Sequence, residues 1–177
     1  VFRYALAADG IELPKNNTYD GVIRTPIKRI VATSTTHLAF LEELDALETL
    51  VGFPETDYIS SPKARKRISE GTLIDVGKSQ QLNVERILEL NPDLLLSFGV
   101  ESIDGSLKRF NEMGIPSIFI GEWNEQNPLG RAEWLKVFGA LLGKKTEAEA
   151  RFNRIEKNYI EIQNSIPNAK PKPTVLA

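Results

Sequence analysis

After residue 26 the apolar residues of this chain fall into two alternating patterns: short continuous runs, and longer stretches with helical spacing. The runs at 29–33, 50–53, 73–76, 93–98 and 117–120 predict strands, with Leu94-Leu95-Leu96 and Ile118-Phe119-Ile120 the clearest. Unbroken apolar strands of this kind belong to parallel sheets covered on both faces. Between them, 36–44, 62–69, 84–90 and 106–113 predict helices, and 131–142 predicts a fifth. Punctuation agrees, with Asn83 placed to cap the third helix and Asn91-Pro92 to end it. Gly114 closes the fourth helix, and Gly143 separates the fifth from a long charged stretch.

The alternation predicts an α/β fold, a Rossmann-like lobe with a mostly parallel sheet flanked by helices, over residues 28–143. Residues 1–27 are irregular, with turn signals at Asp9-Gly10, Asn16-Asn17 and Asp20-Gly21, and predict short edge strands joined by tight turns. Residues 144–166 form a charged amphipathic run in which Ala148, Phe152, Ile155, Tyr159, Ile162 and Ile166 share one helix face. Glu147 with Arg151 and Lys157 with Glu161 are expected as i,i+4 pairs on its outer side. The Pro-rich residues 167–177 then read as a linker and the start of another apolar strand. A long helix leaving a finished lobe predicts a bridge to a second lobe that this chain does not contain.

Composition narrows the class. The chain has 177 residues, 41% hydrophobic and 26% charged, ordinary for a globular protein. A net charge of −2 argues against a nucleic-acid binder. No apolar run reaches the ~20 residues of a membrane span. With no cysteine and one histidine, neither a thiolate site nor a cluster of imidazoles can be built.

Chemistry is expected beyond the carboxyl ends of the strands, where open parallel sheets bind ligands. Four loops stand there: Ser34-Thr35-Thr36-His37, Gly77-Lys78-Ser79-Gln80, Gly99-Val100-Glu101-Ser102 and Gly121-Glu122-Trp123-Asn124. The hydroxyls of Ser34, Thr35 and Thr36 suit either an anion or a helix N-cap. His37 would matter only to a ligand that brings its own metal, as an axial ligand to haem iron, and reads otherwise as a packing residue. Trp123 is the better placed tryptophan for stacking on a ligand, with Trp134 expected against the core and Tyr58 overhanging the same edge. Lys78, together with Ser79, Gln80, Val100 and Glu101 of the neighbouring loops, completes the candidate lining. Arg131 either clamps an acidic ligand or pairs with Glu122, Glu125 or Glu133.

An enzyme is poorly supported. There is no phosphate-binding glycine motif, no acidic pair at a strand end, and no histidine free to serve a serine or threonine nucleophile. A small α/β enzyme acting on a nucleotide or phosphorylated substrate, and an interaction domain that pairs through its long helix, remain the two other readings.

Several segments in order resemble the substrate-binding proteins of ABC importers for iron–siderophore, haem and cobalamin, the class whose two lobes are joined by a rigid helix. Arg29-Ile30-Val31-Ala32-Thr33-Ser34-Thr35-Thr36-His37 resembles the family's first strand and ligand loop, and Leu50-Val51-Gly52 its second strand. Asn83-Val84-Glu85-Arg86-Ile87-Leu88 with Leu90-Asn91-Pro92-Asp93-Leu94-Leu95-Leu96 is the most specific piece. Gly114-Ile115-Pro116, and Leu141-Leu142-Gly143-Lys144 before Glu147-Ala148-Glu149, complete the series. Thr35 stands where the family commonly has proline. The resemblance implies a monomeric binding protein with a metal-chelate cargo and no intrinsic cofactor, and a permease as partner. It also implies a periplasmic or membrane-anchored location. Glu85 falls on the family's transporter-docking glutamate, on a helix whose Val84, Ile87 and Leu88 are expected to face the core.

Overall fold

The computed structural model describes residues 3–14, 18–98, 103–166 and 174. Val100 and Glu101, and nearly all of the expected linker 167–177, lie outside them. Five parallel strands form the central sheet: β3 (Ile30–Ala32), β4 (Leu50–Phe53), β5 (Ile74–Asp75), β8 (Leu94–Ser97) and β9 (Ser117–Phe119). Their spatial order is β5-β4-β3-β8-β9. The chain therefore builds outward from β3 in one direction and then returns to build outward in the other. The reversal lies between β3 and β8, where such sheets open a crevice at the carboxyl ends of their strands.

The alternation within each strand feeds two separate cores. Ile30, Ala32, Leu94, Leu96 and Ile118 point to one face and pack with Leu38 and Leu41 of α1 (Thr35–Glu43) and Leu135, Phe138 and Leu141 of α5 (Pro128–Leu142). Val31 and Leu95 point to the other face and meet Ile87 of α3 (Val84–Leu90) and Phe110 of α4 (Ile103–Glu112). Covering both faces is what lets the strands be apolar without interruption. The remaining helix of the lobe is α2 (Pro62–Ser69).

Side-chain caps set the helix starts. Ser34, Ser61, Asn83 and Asn127 each accept a hydrogen bond from the first turn of the helix they precede. Helix α5 begins at Pro128, three residues before the sequence pattern places it, because Asn127 caps and Pro128 fills a first-turn position. Asp93 accepts from the backbone N–H groups of Lys28 and Arg29 at 2.8 and 2.9 Å, joining the start of β3 to the start of β8.

Two regions differ from expectation. β1 (Tyr4–Ala8) and β2 (Gly21–Thr25) pair with each other in parallel, as a separate two-stranded sheet. A parallel pair needs a returning connection, so the two strands are not a hairpin; the expected turn at Asp9-Gly10 forms, with the Ile11 N–H donating to the Ala8 carbonyl at 3.1 Å, but it only begins that connection. The residues 77–80, expected as a plain loop, carry a short antiparallel hairpin of β6 (Gly77–Lys78) and β7 (Gln81–Leu82). Gly77 has φ +99°, a conformation that side chains rarely adopt, and a Cβ there would lie 3.1 Å from backbone atoms of Gln81 and Asn83.

Helix α6 (Lys145–Ser165) spans 21 residues, about 32 Å at 1.5 Å per residue. It folds back against α5 at Gly139, where an added Cβ would come within 2.3 Å of the Ala148 Cβ. Its apolar face divides along its length. Ala148 and Phe152 are buried, while Tyr159, Ile162 and Ile166 are exposed at 37, 63 and 65%. The expected pair of Lys157 with Glu161 forms at 3.8 Å. Glu147 does not capture Arg151, because Arg151 reaches Glu43 at 3.1 Å and Asp45 at 2.7 Å across the helix interface.

Candidate ligand-binding edge

At the head of α1, Ser34 acts as the N-cap, accepting from the Thr36 N–H at 3.3 Å. Its hydroxyl also lies 2.8 Å from Thr36 Oγ1, and that hydroxyl donates onward to Glu122 Oε1. The Thr36 side chain is thus committed to internal bonds. Thr35 is exposed, with no side-chain hydrogen bond among the described residues, and is the free hydroxyl of this loop.

Beside it the structure seals a buried polar pocket. His37 has no exposure, and Glu122 has 4%. Nε2 of His37 lies 3.9 Å from Glu122 Oε2, and neither imidazole nitrogen has a hydrogen-bond partner among the described residues. Burial pushes the His37 pKa down to about 3, so the ring is neutral and this approach is not an ion pair. The ring packs 5.9 Å from that of Phe138. His37 therefore packs in the core, with its ring shielded from solvent. Glu122, one of three carboxylates weighed as a partner of Arg131, instead ties the loop after β9 to the start of α1.

On the other flank, the loop after β4 is held by carboxylates. Asp75 Oδ2 accepts from the N–H and hydroxyl of Thr56 at 2.9 and 3.0 Å, and Oδ1 accepts from the Gly77 N–H at 2.8 Å. Burial raises the Asp75 pKa, but those three donors with Arg86 outweigh it, and the group sits below the usual range. Glu55, at φ +50°, accepts from the Ser79 N–H and hydroxyl at 3.0 and 2.8 Å. Those two bonds, the N–H foremost, hold its carboxyl below the usual range. Ser79 is thus part of the scaffold, while Lys78 and Gln80 beside it are exposed.

The ring-bearing residues of the edge face solvent. Tyr58 is 75% exposed in the turn Thr56–Tyr58, and Trp123 is 40% exposed in the turn Glu122–Asn124. Trp134 is half-buried and donates to Glu125 at 3.0 Å. Arg131 is exposed and donates to the Glu125 carbonyl at 3.3 Å. Neither Arg131 nor Lys78 has a carboxylate within ion-pair distance among the described residues. Glu85 is exposed in the first turn of α3, and Leu88, expected in the core, is 44% exposed on the same helix.

One residue of the edge was not picked out in the sequence. Phe98, directly after β8, is 44% exposed, and Thr33 Oγ1 accepts its backbone N–H at 2.9 Å. Its apolar run concealed it, since the same letters continue the buried strand. No group of three or more metal-ligating side chains occurs among the described residues, nor any helix long and apolar enough to cross a membrane.

The structure is thus a doubly wound lobe with an exposed, aromatic carboxyl edge and a long helix folded against it. The chain belongs to the periplasmic binding protein family, whose model matches residues 30–177. An uncharacterized lipoprotein of Methanocaldococcus jannaschii is 31% identical over 160 residues, covering 87% of this chain and 38% of the relative. A periplasmic heme binding protein of Pseudomonas aeruginosa superposes with a TM-score of 0.62 at 24% identity, over 78% of this chain and 46% of its own. The siderophore binding protein BauB, bound to acinetobactin and ferric iron, gives a TM-score of 0.64 at 22% identity, over 82 and 51%. These two structures share the fold. The chain spans about half the length of those structures and less than half of the curated relatives it matches.

Proposed function

We propose that this lobe forms one wall of the cargo cleft of an ABC-importer substrate-binding protein, and that the cargo is an iron–siderophore chelate. The observation that carries this reading is the carboxyl edge itself: exposed aromatic rings and two exposed cations, Lys78 and Arg131, with no carboxylate within ion-pair distance among the described residues, set on the family's fold. Thr35, Tyr58, Lys78, Gln80, Trp123 and Arg131 are the residues offered to the cargo. Thr36 and Ser79 hold the loops that present them. Haem and cobalamin are the competing cargoes. The burial of His37 withholds its imidazole from a haem iron and leaves the exposed Tyr58 phenol as the axial candidate of the described edge, which favours a metal already enclosed by its own chelator. The exposed glutamate Glu85 is assigned to the permease, and the first-turn position also suits an acid electrostatically. The working location is the outer face of the cytoplasmic membrane, reached through the periplasm or a lipid anchor.

Titration of the full-length protein with ferric siderophores, haem and cobalamin, followed by tryptophan quenching, tests the cargo. Saturable quenching by a ferric siderophore is expected, and silence with every one of them overturns the reading. Glu85→Lys is expected to leave chelate affinity intact and to weaken binding to the permease in proteoliposomes. Unchanged docking removes that role from Glu85.

A further inference from the structure

We infer that Phe98 is a cargo-contacting residue and that it selects chelates whose iron-binding groups are aromatic, catecholate or phenolate, over those with aliphatic hydroxamates. The inference rests on the chelate-binding reading above and narrows it to one chemical class.

Phe98 leaves the sheet beside the point where the strand order reverses. Its backbone is fixed from both neighbouring strands. Thr33 Oγ1, itself buried, accepts the Phe98 N–H, and the Thr33 N–H donates to Leu96 at 3.1 Å. On the other side the Ile120 N–H donates to the Ser97 carbonyl at 2.9 Å. These bonds fix the backbone at Ser97 and Phe98, and the ring, 44% exposed, stands at an edge where its exposure costs hydrophobic free energy until something covers it.

Its neighbours point to what covers it. Four aromatic residues stand out as exposed among the described residues, and three of them lie on this edge: Tyr58 after β4, Phe98 after β8 and Trp123 after β9. Phe98 is the middle one, nearest the crevice. Aromatic rings gain from offset or edge-to-face contact with other aromatic rings beyond what area alone supplies. A hydroxamate shell offers aliphatic chain and carbonyl oxygen, which gain only the area. Lys78 and Arg131, exposed on the flanks, match the negative charge of a ferric catecholate.

Calorimetric titration of the full-length protein with ferric enterobactin, a tris-catecholate, and ferrioxamine B, a tris-hydroxamate, provides the test. The reading is the ratio of the two dissociation constants, compared between wild type and Phe98→Leu, so that the charge difference between the chelates cancels. Phe98→Leu is expected to reduce the preference for the catecholate about tenfold, with the hydroxamate little changed. Phe98→Trp, which keeps an aromatic face, is expected to retain the preference. Each variant's thermal midpoint should match the wild type, since the ring lies outside the core. An unchanged ratio in Phe98→Leu, or a wild-type preference for the hydroxamate, overturns the inference while leaving the cargo reading standing. If no chelate binds, the cargo reading fails and takes this inference with it.

Discussion

Glu55 and Glu122 stand at the same edge of the sheet, and the fold treats them in opposite ways. Glu55 sits at the solvent boundary with one carboxylate oxygen taking two hydrogen bonds from Ser79. Glu122 is buried, bonded through one oxygen to Thr36, while the other faces the neutral His37 ring without a partner among the described residues. The first carboxylate organises one hairpin under solvent screening. The second joins two elements across the core, in a medium where polar contacts are stronger and unmet ones are costly. The Trp123 side of the edge is therefore bound into the fold's stability, while the Tyr58 side is a local arrangement laid over it.

The largest effect that separates the two flanks is expected from pH. The folded His37 ring resists a proton until about pH 3, whereas in the unfolded chain it takes one near 6.5. Its lowered pKa makes the unfolded state the better proton binder, so stability is complete above pH 6.5 and declines as pH falls towards 3. The slope is about 1.4 kcal/mol per pH unit, giving a loss of about 3 kcal/mol at pH 4.5. Urea unfolding at pH 7 and 4.5 should show this loss in wild type and not in His37→Leu. Equal losses in both proteins would mean that the ring is not sealed.

A smaller effect is expected from the carboxylate beside it. Glu122→Ala removes the acceptor of Thr36 and opens a void against the His37 ring, at a cost of about 2 kcal/mol. Glu122→Gln keeps that acceptor and should lie within about 1 kcal/mol of wild type in the same assay. If alanine proves harmless, Glu122 does not tie the β9 loop to α1. Least of all should come from Glu55→Ala. Stability is expected to hold, while the Ser79 amide exchanges faster with deuterium. A global loss of stability would erase the contrast between the flanks.

The lobe was legible in the sequence where its signals are local. Continuous apolar runs marked every strand of the central sheet from Ile30 onward, and Asn83, Asn91, Gly114 and Gly143 marked helix limits with side chains or φ values that act within a few residues. The β1–β2 pairing was not legible, because turn residues report a change of direction and not which strand is met afterwards. The edge was located by the loops that come after apolar runs, but the disposition of its side chains depends on tertiary neighbours. Glu122 looks like a surface residue until the β9 loop closes over α1, and the same closure buries the His37 ring that the sequence leaves between packing and a haem ligand. Phe98 looks like core until the strand ends one residue earlier. Glu147 and Arg151 have ideal spacing, yet the Arg151 guanidinium meets two carboxylates at the end of α1.

Those two carboxylates give α6 a mechanical character. Arg151 and Arg154 both hold Glu43, Arg151 also holds Asp45, and the Lys144 ammonium donates to the carbonyls of Leu44 and Asp45. Together with Phe152 they clamp the first half of the helix at the tail of α1, while Ile160 and Ile162 in its second half are exposed. Among the described residues the ionic anchors of the helix all sit at that one end, as the root of a lever does. A load further along the helix is felt as torque at residues 43–45, and α1 is the rod that runs from there to Thr35 at the candidate edge.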